Sequence, residues 1–96
     1  MKTVFYIDLS LKTPCGPEPY ARFYIGSDRE QAYELFNKLT GTVEINRNDV
    51  LFIDFIEMRK GLPVSLTMIS CTLEQLTKNC RIITKTLFQS ANLKAS

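Results

Sequence analysis

The sequence contains no histidine and no tryptophan among its 96 residues. Histidine is the usual general base near neutral pH, the usual partner of a nucleophilic serine or cysteine, and the commonest metal ligand. Its absence excludes enzymes that depend on a Ser-His-Asp or Cys-His arrangement. We therefore expect a non-enzymatic protein that needs no cofactor and no metal ion.

Glycine and cysteine are few and scattered along the chain. The four glycines stand singly, so they form neither a GxGxxG motif nor a phosphate-binding P-loop. Cys15, Cys71 and Cys80 are an odd number without CxxC spacing, which argues against a disulfide framework and against a zinc site. A reducing, cytoplasmic location is expected, with Cys15 an unreactive loop residue and the other two small core residues.

The net charge is also small, and the apolar runs are short. Twelve basic and ten acidic residues leave a net charge of +2, which is too little for the broad positive field that non-specific nucleic-acid binding requires. No run approaches the roughly 20 apolar residues of a membrane helix, and Asp8 interrupts the apolar start too early for a signal peptide. We expect a soluble chain with no membrane partner, one domain over residues 1–90 and a flexible tail over 91–96.

Alternation of apolar and polar residues predicts two strands at the start of the chain. Residues 3–12 alternate with the period of a half-buried strand. Residues 13–19 contain three prolines and predict a stiff loop, since proline fixes the backbone and removes a donor. Residues 20–26 alternate again, which predicts a long-looped hairpin.

A helix signal follows the second strand. Ser27 and Glu30 have the spacing of a capping box, in which each side chain accepts from the other residue's amide. Apolar residues then recur at intervals of three and four, as on the buried face of a helix. Gly41 stands where a left-handed C-terminal cap belongs. The first half is therefore predicted to be strand, strand, helix.

The same order is predicted for the second half. Residues 50–58 form a nearly continuous apolar run, which favours a central strand, and residues 64–71 alternate after a turn at 59–63. Residues 4–9 and 50–55 match at a constant offset. Because short strands resemble one another, an internal duplication is a hypothesis that the shared order does not require.

The last element has two interpretations. Thr72 and Gln75 repeat the capping-box spacing ahead of apolar residues at intervals of three and four, which predicts one long helix. However, residues 81–88 are rich in β-branched residues and also alternate. The helix could therefore end near Asn79 and a fifth strand could follow.

These elements predict an α+β fold, a two-layer ββαββα sandwich. A right-handed crossover from the second to the third strand gives an antiparallel-dominated, four-stranded sheet of order 2-1-3-4, with both helices on one face. We call the face under the helices the inner face. It is expected to hold Phe5, Ile7, Leu9, Leu11, Ala21, Phe23, Ile25, Leu51, Ile53, Phe55, Val64, Leu66 and Met68.

The opposite, helix-free side of the sheet is called the outer face. It is expected to hold Val4, Tyr6, Asp8, Ser10, Tyr20, Arg22, Tyr24, Val50, Phe52, Asp54, Ile56, Ser65, Thr67 and Ile69. This set is too apolar for an ordinary solvated surface. A second copy of the chain in a two-fold homodimer is the simplest cover. A protein or peptide partner, an apolar ligand, a fifth strand or the tail are alternatives. The residues expected to matter most are Tyr6, Arg22, Tyr24, Phe52 and Ile56.

One pair of carboxylates is the only catalytic-looking feature. Asp8 and Asp54 fall at equivalent positions of adjacent strands, where they could raise each other's proton affinity or share a divalent cation. The ordinary alternative is a surface carboxylate that Arg22 or a backbone donor neutralises.

A basic stripe supplies the remaining alternative. Lys78, Arg81 and Lys85 fall on one side of the long helix and could follow a phosphate backbone, so a nucleic acid is a possible although disfavoured partner. A solvated helix face explains such a stripe more often.

Overall fold

The computed structural model describes the backbone of residues 3–95 and the side chains of residues 3–89. Its elements are β1 (Val4–Thr13), β2 (Gly16–Gly26), α1 (Arg29–Asn37), β3 (Leu51–Arg59), β4 (Leu62–Cys71) and α2 (Leu73–Ala95). The four strands form one antiparallel sheet in the order β2-β1-β3-β4. The predicted α+β fold and its strand order are confirmed.

The core lies between the inner face and the two helices. The two central strands contribute side chains that are at most 1% exposed, namely Phe5, Ile7, Leu9, Ile53 and Phe55. The helices contribute Ala32, Leu35, Leu76 and Ile83 to the same cluster. Because one cluster joins residues of both helices to one side of the sheet, the helices share the inner face. In the part of the chain that the structure describes, no helix lies over the outer face.

Strand β2 begins earlier than the sequence indicates. The loop predicted over residues 13–19 is wrong, because a tight turn closes with Thr13 opposite Gly16 and the strand continues from there. Gly16 has φ of 109°, a backbone conformation that favours glycine. Pro17 and Pro19 lie in β2, which is an edge strand and therefore tolerates residues without an amide donor.

The sheet has three bulges, of which two change which side chains face outward, whereas Ile25 at the third still packs against the core. In β4 the register skips Leu66, so Met68 pairs with Asp54 on the outer face, whereas Ile69 is buried and Thr67 follows the inner register. The predicted faces of these three β4 residues are therefore reversed. An extra residue in a strand shifts every later side chain to the other face. The predicted faces assume strict alternation along the whole strand, so they are wrong beyond the bulge.

The second bulge concerns Tyr20 of β2. The register passes from Ala21 directly to Pro19, so Tyr20 is the unpaired residue and leaves the predicted outer-face row. Burial raises the pKa of its hydroxyl, and the neighbouring Cys80 and Cys71 raise it further. Cys80 belongs to α2, so Tyr20 lies toward the helix layer rather than on the outer face.

Helix α1 differs from its prediction at both ends. Asp28, not Ser27, is the N-cap, and its Oδ1 accepts from the Gln31 amide at 3.2 Å. A carboxylate at this position also complements the positive end of the helix dipole. The helix ends at Lys38, which is right-handed, so the predicted cap at Gly41 is wrong.

Gly41 instead brings the connection after α1 against β4. Thr42 and Ser70 exchange two backbone hydrogen bonds of 2.9 Å each. A Cβ at position 41 would lie 2.7 Å from the carbonyl oxygen of Ser70 and 3.0 Å from Cδ1 of Ile69. The glycine is therefore needed for close approach, not for a left-handed conformation.

Replacing Gly41 by alanine is expected to lower the free energy of unfolding by about 1–3 kcal/mol, because the new methyl group forces the connection away from β4. Urea denaturation followed by circular dichroism measures the loss. Val43→Ala is a control in the same segment, since Val43 is 69% exposed and its truncation should cost less than about 0.5 kcal/mol. Equal stability of Gly41→Ala and the wild type would contradict the close approach.

Helix α2 begins as the sequence predicts. The Thr72 amide donates to Oε1 of Gln75 at 2.9 Å, and the Gln75 amide donates to Oγ1 of Thr72 at 3.2 Å. Residues 81–88 are helical, so the alternative of a fifth strand is wrong. The helical backbone reaches Ala95, within the segment for which a flexible tail remains a prediction. In the described part of the chain, neither helix has the length and apolarity needed to cross a bilayer.

Candidate functional site

The outer face consists of cross-strand rows, because paired residues of neighbouring strands point to the same side of a sheet. The first row is Tyr24, Tyr6, Ile56 and Ser65, the second is Arg22, Asp8, Asp54 and Met68, and the third is Pro19, Ser10, Phe52 and Ser70. Successive rows are two residues apart along the central strands β1 and β3, or roughly 7 Å, and three residues apart at the bulges of β2 and β4. The predicted interface residues therefore occupy three adjacent rows.

Tyr6, Arg22 and Tyr24 form one cluster on this face. The guanidinium carbon of Arg22 lies 4.9 Å from the centroid of the Tyr6 ring, and the Tyr6 and Tyr24 rings meet edge to face at 5.6 Å. Nε and Nη2 of Arg22 donate to the two carboxylate oxygens of Asp8 at 2.7 and 2.8 Å. This fork-like pair fixes Arg22 over the ring, while Tyr24 remains 56% exposed. The cluster therefore presents a rigid aromatic surface.

The other two predicted interface residues have different surroundings. Ile56 pairs with Tyr6 but is only 7% exposed, so it supports the cluster and offers little contact area. Phe52 lies two rows away, beside Ser10 and toward the end of the sheet at which β1 meets the connection between α1 and β3. The structure thus brings four of the five residues together and places Phe52 apart.

Phe52 lines a pocket at that end of the outer face, which we call the end pocket. Its volume is about 320 Å³, and its walls include Ser10, Lys12, Pro17, Ile45, Phe52 and Met68. The connection forms one wall, because the Lys12 amide donates to the Val50 carbonyl at 2.8 Å and Lys12 Nζ donates to the Arg47 carbonyl at 2.7 Å. The sequence did not indicate this pocket, since residues 40–50 have no periodic pattern that would predict where the connection runs.

Asp8 and Asp54 are directly opposite each other on β1 and β3. Asp8 is paired with Arg22, whereas Asp54 accepts a hydrogen bond of 2.6 Å from Oγ of Ser65. Burial raises the pKa of Asp54, the charge of Asp8 raises it further, and the Ser65 hydrogen bond opposes both effects. Within residues 3–89, no three side chains of the metal-binding types come together. The contacts favour the ordinary alternative, in which Arg22 neutralises Asp8.

In the monomer at low protein concentration, Asp54→Asn is expected to raise the free energy of unfolding at pH 7 by up to about 1 kcal/mol, since it removes one of two directly opposed like charges and keeps the acceptor for Ser65. The folded protein prefers the protonated form of Asp54, so the wild type loses stability as pH rises from about 4 through the raised pKa. Partial exposure of Asp54 keeps the effect small.

Thermal unfolding at pH 7 and at pH 3 measures this difference. The gain should disappear at pH 3, where the wild-type carboxyl group carries a proton in both states. Glu18→Gln, an exposed residue of β2, provides the control for a simple change in net charge. A destabilised Asp54→Asn variant at pH 7 would show that the ionised form is favoured by a contact not accounted for above.

The basic stripe of α2 is exposed along its whole length at Lys78, Arg81 and Lys85. Arg81 and Lys85 line a shallow groove of about 440 Å³ together with Phe88, which is 64% exposed. Lys78 does not line the groove. Phe88 was not among the predicted site residues, although its position three residues after Lys85 already places it on this side of the helix.

The three cysteines form no disulfide bond within the described residues. Cys15 is exposed at the turn between β1 and β2. Burial raises the pKa of the Cys80 thiol, and burial followed by the charge of Cys80 raises that of Cys71. A raised pKa keeps a thiol protonated and unreactive.

Two buried polar residues were also missed. Asn79 of α2 and Glu57 of β3 are 0% and 1% exposed. Asn79 lies on the apolar seam between Leu76 and Ile83, a position at which a polar residue signals a specific buried contact. Glu57 follows the inner register of β3, since it pairs with Phe5. Both residues therefore lie on the helix side of the sheet, away from the outer face.

No protein-family model matches this chain, and neither does any curated protein or solved structure. Function is therefore argued from three features of the molecule: the outer face, the end pocket and the groove on α2.

Proposed function

We propose that this protein is a non-enzymatic interaction module whose outer face binds a second copy of the chain. The observation that carries the proposal is an open sheet face rich in aromatic and aliphatic side chains with no helix over it. Tyr24 is 56% exposed and Met68 is 38% exposed on this face. Contiguous apolar patches of several hundred Å² mark association surfaces in soluble proteins.

The size of the face is suited to a small dimer interface. Its strands have 9 to 11 residues. At about 3.3 Å per residue and 4.8 Å between strands, the face measures roughly 30 by 19 Å, or about 570 Å². A standard interface buries about 800 Å² on each partner. Ile45 and Asn46 of the connection line the end pocket beside this flat area and enlarge the surface, so face-to-face packing approaches the standard size.

The charges of the face favour a second copy over an unrelated apolar partner. Its central row carries a cation, Arg22, and two carboxylates, Asp8 and Asp54. Asp54 forms no ion pair within residues 3–89. Arg22 uses Nε and Nη2 on Asp8, so Nη1 of the Arg22 of a symmetry-related copy can supply the missing opposite charge. Two-fold dimers match a patch with itself, and a patch with both signs is able to do so.

Tyr24→Asp tests the proposal by sedimentation equilibrium. The wild type is expected to be dimeric at high protein concentration and Tyr24→Asp to be monomeric, because the substitution places an unpaired charge in the aromatic cluster. Phe52→Asp should act in the same direction from the other end of the face. Phe88→Asp is the matched control, since Phe88 is equally exposed but lies on α2. A wild type that stays monomeric, or a dimer that Phe88→Asp alone disrupts, would overturn the proposal.

Single-stranded nucleic-acid binding along α2 is a second candidate function. It is favoured by the exposed Phe88 ring beside Arg81 and Lys85, since such surfaces combine stacking aromatics with cations. Binding of a fluorescent oligonucleotide should then weaken steeply with salt. Charge reversal at Lys78, Arg81 and Lys85 should abolish it, and Phe88→Ala should cost about 1–3 kcal/mol. Affinity that is insensitive to salt would exclude this function.

A further inference from the structure

The end pocket has the size and walls of a small-molecule site. Its volume of about 320 Å³ falls at the lower end of the range that small ligands occupy. Ile45, Phe52, Met68 and Pro17 give it apolar walls on several sides. Such walls suit a flat apolar group of one or two rings, because they bury the ring faces without leaving polar atoms unpaired.

The polar groups of the pocket indicate the sign of the ligand. Among residues 3–89, Lys12 is the only charged residue in the lining, and no carboxylate of this range lines the pocket. Its ammonium group has three N–H donors, one of which donates to the Arg47 carbonyl. Two donors remain for a ligand, and Ser10 and Asn46 add neutral polar groups nearby. A carboxylate is the ligand group that such a set of donors binds best.

The wall formed by the connection is held in place without a ligand. The Asn46 amide donates to Oδ2 of Asp49 at 2.7 Å, which closes a turn next to Ile45. Lys12 holds the same segment through the Arg47 and Val50 carbonyls. The pocket is therefore pre-formed, and a ligand does not need to order it.

From these observations we propose that the end pocket binds a small aromatic carboxylate, with its ring between Ile45, Phe52 and Met68 and its carboxylate at Lys12. This inference goes beyond the proposed self-association and does not depend on it, since the pocket is complete within one chain.

The probe is 2-naphthoate, titrated into the full chain and followed by NMR chemical shifts, with the uncharged 2-naphthalenemethanol in parallel. The wild type is expected to bind the acid saturably and about tenfold more tightly than the alcohol, the gain of one charge-assisted contact. Ile45→Asp places a carboxylate in the wall and should remove acid binding. Val43→Asp is the matched control, because Val43 is two residues away, 69% exposed and outside the lining.

Lys12→Gln separates the charge from the shape of the pocket. It should weaken binding of the acid about tenfold and leave binding of the alcohol unchanged. The inference is overturned by the absence of saturable binding to the wild type, by equal affinities for acid and alcohol, or by full affinity of Ile45→Asp. Sedimentation of the same samples keeps the two proposals distinct. Because Phe52 and Met68 belong to both surfaces, the titration is repeated on Tyr24→Asp at a concentration at which sedimentation shows a monomer. A monomer without saturable binding overturns only the pocket, and a wild type that stays monomeric at high concentration and binds naphthoate overturns only the self-association.

Discussion

Combined replacement of Arg29 and Arg59 by methionine is expected to lower the free energy of unfolding by about 2–4 kcal/mol, because it leaves a buried carboxylate without a counter-charge. That carboxylate belongs to Glu57, whose side chain is 1% exposed on the inner face. Arg59 Nε donates to Oε2, and Arg29 Nη2 lies 3.2 Å from Oε1. The expected loss is below that of a fully buried pair, since the arginine side chains are 61% and 56% exposed.

Arg29 is the more informative member of this group. It occupies the first position of α1, where a positive charge opposes the helix dipole. Its guanidinium carbon lies 5.7 Å from the centroid of the Phe5 ring, so it contacts both the carboxylate and the aromatic core. Oε1 of Glu57 has no hydrogen bond to Arg29 despite their proximity, and the contact is therefore ionic. We expect Arg29 to fix the start of α1 over the sheet.

Urea denaturation of the single and double variants measures the effect, and a third substitution tests its cause. Adding Glu57→Gln to the double variant should restore most of the lost stability, because it removes the buried charge and keeps the side-chain volume. Arg47→Met, a variant of an exposed arginine that forms no ion pair within residues 3–89, should change stability by less than about 0.5 kcal/mol. If the triple variant were no more stable than the double, the loss would come from packing and not from charge.

Bulges limit how much of this fold can be predicted from the sequence. The strands, the helices and the sheet order follow from alternation, capping spacing and crossover handedness, which are local or general rules. Thr67, Met68 and Ile69 contradict their expected faces because of a bulge at Leu66. Tyr20 does so because it is itself the bulged residue of β2. A bulge depends on how two strands pair, and the sequence of one strand alone carries little information about it.

Part of the candidate site could be predicted from the sequence and part could not. The cluster of Tyr6, Arg22 and Tyr24 could be predicted, since it requires only the pairing of two strands with known alternation. The end pocket could not be predicted. Its wall residue Ile45 belongs to a segment whose path is set by contacts distant in sequence, such as the bond from Lys12 to the Arg47 carbonyl. Long-range contacts of an irregular segment leave no periodic signal.

Asn79→Leu is expected to lower the free energy of unfolding by about 2–4 kcal/mol, because it leaves two backbone groups of the half-buried Thr40 without partners at about 1–3 kcal/mol each. Oδ1 of Asn79 accepts from the Thr40 amide at 2.8 Å and from its hydroxyl at 3.3 Å. Nδ2 donates to the Thr40 carbonyl at 2.7 Å. The side chain thus pairs with Thr40 as a neighbouring strand would, and it ties α2 to the connection after α1.

Asn79→Asp distinguishes hydrogen bonding from volume, because it has the same shape but buries a charge and loses the donor. At neutral pH it should cost at least as much as Asn79→Leu. Burial raises the pKa of such a carboxyl group, so the folded state binds the proton more tightly and the deficit should shrink as pH falls. Thr77→Leu is the control, because Thr77 is exposed on the same helix. A pH-independent deficit in Asn79→Asp would contradict this account.

The loss of stability in Asn79→Leu should extend from the core to the end pocket, because Thr40 is two residues from the bridge between Thr42 and Ser70. That bridge is followed directly by the wall of the end pocket at Ile45. In Asn79→Leu, amide hydrogen exchange should therefore accelerate at Thr40 and Thr42 by a larger factor than in the central strands. Uniform acceleration across the sheet would instead mean that Asn79 stabilises the fold as a whole and does not position the pocket wall.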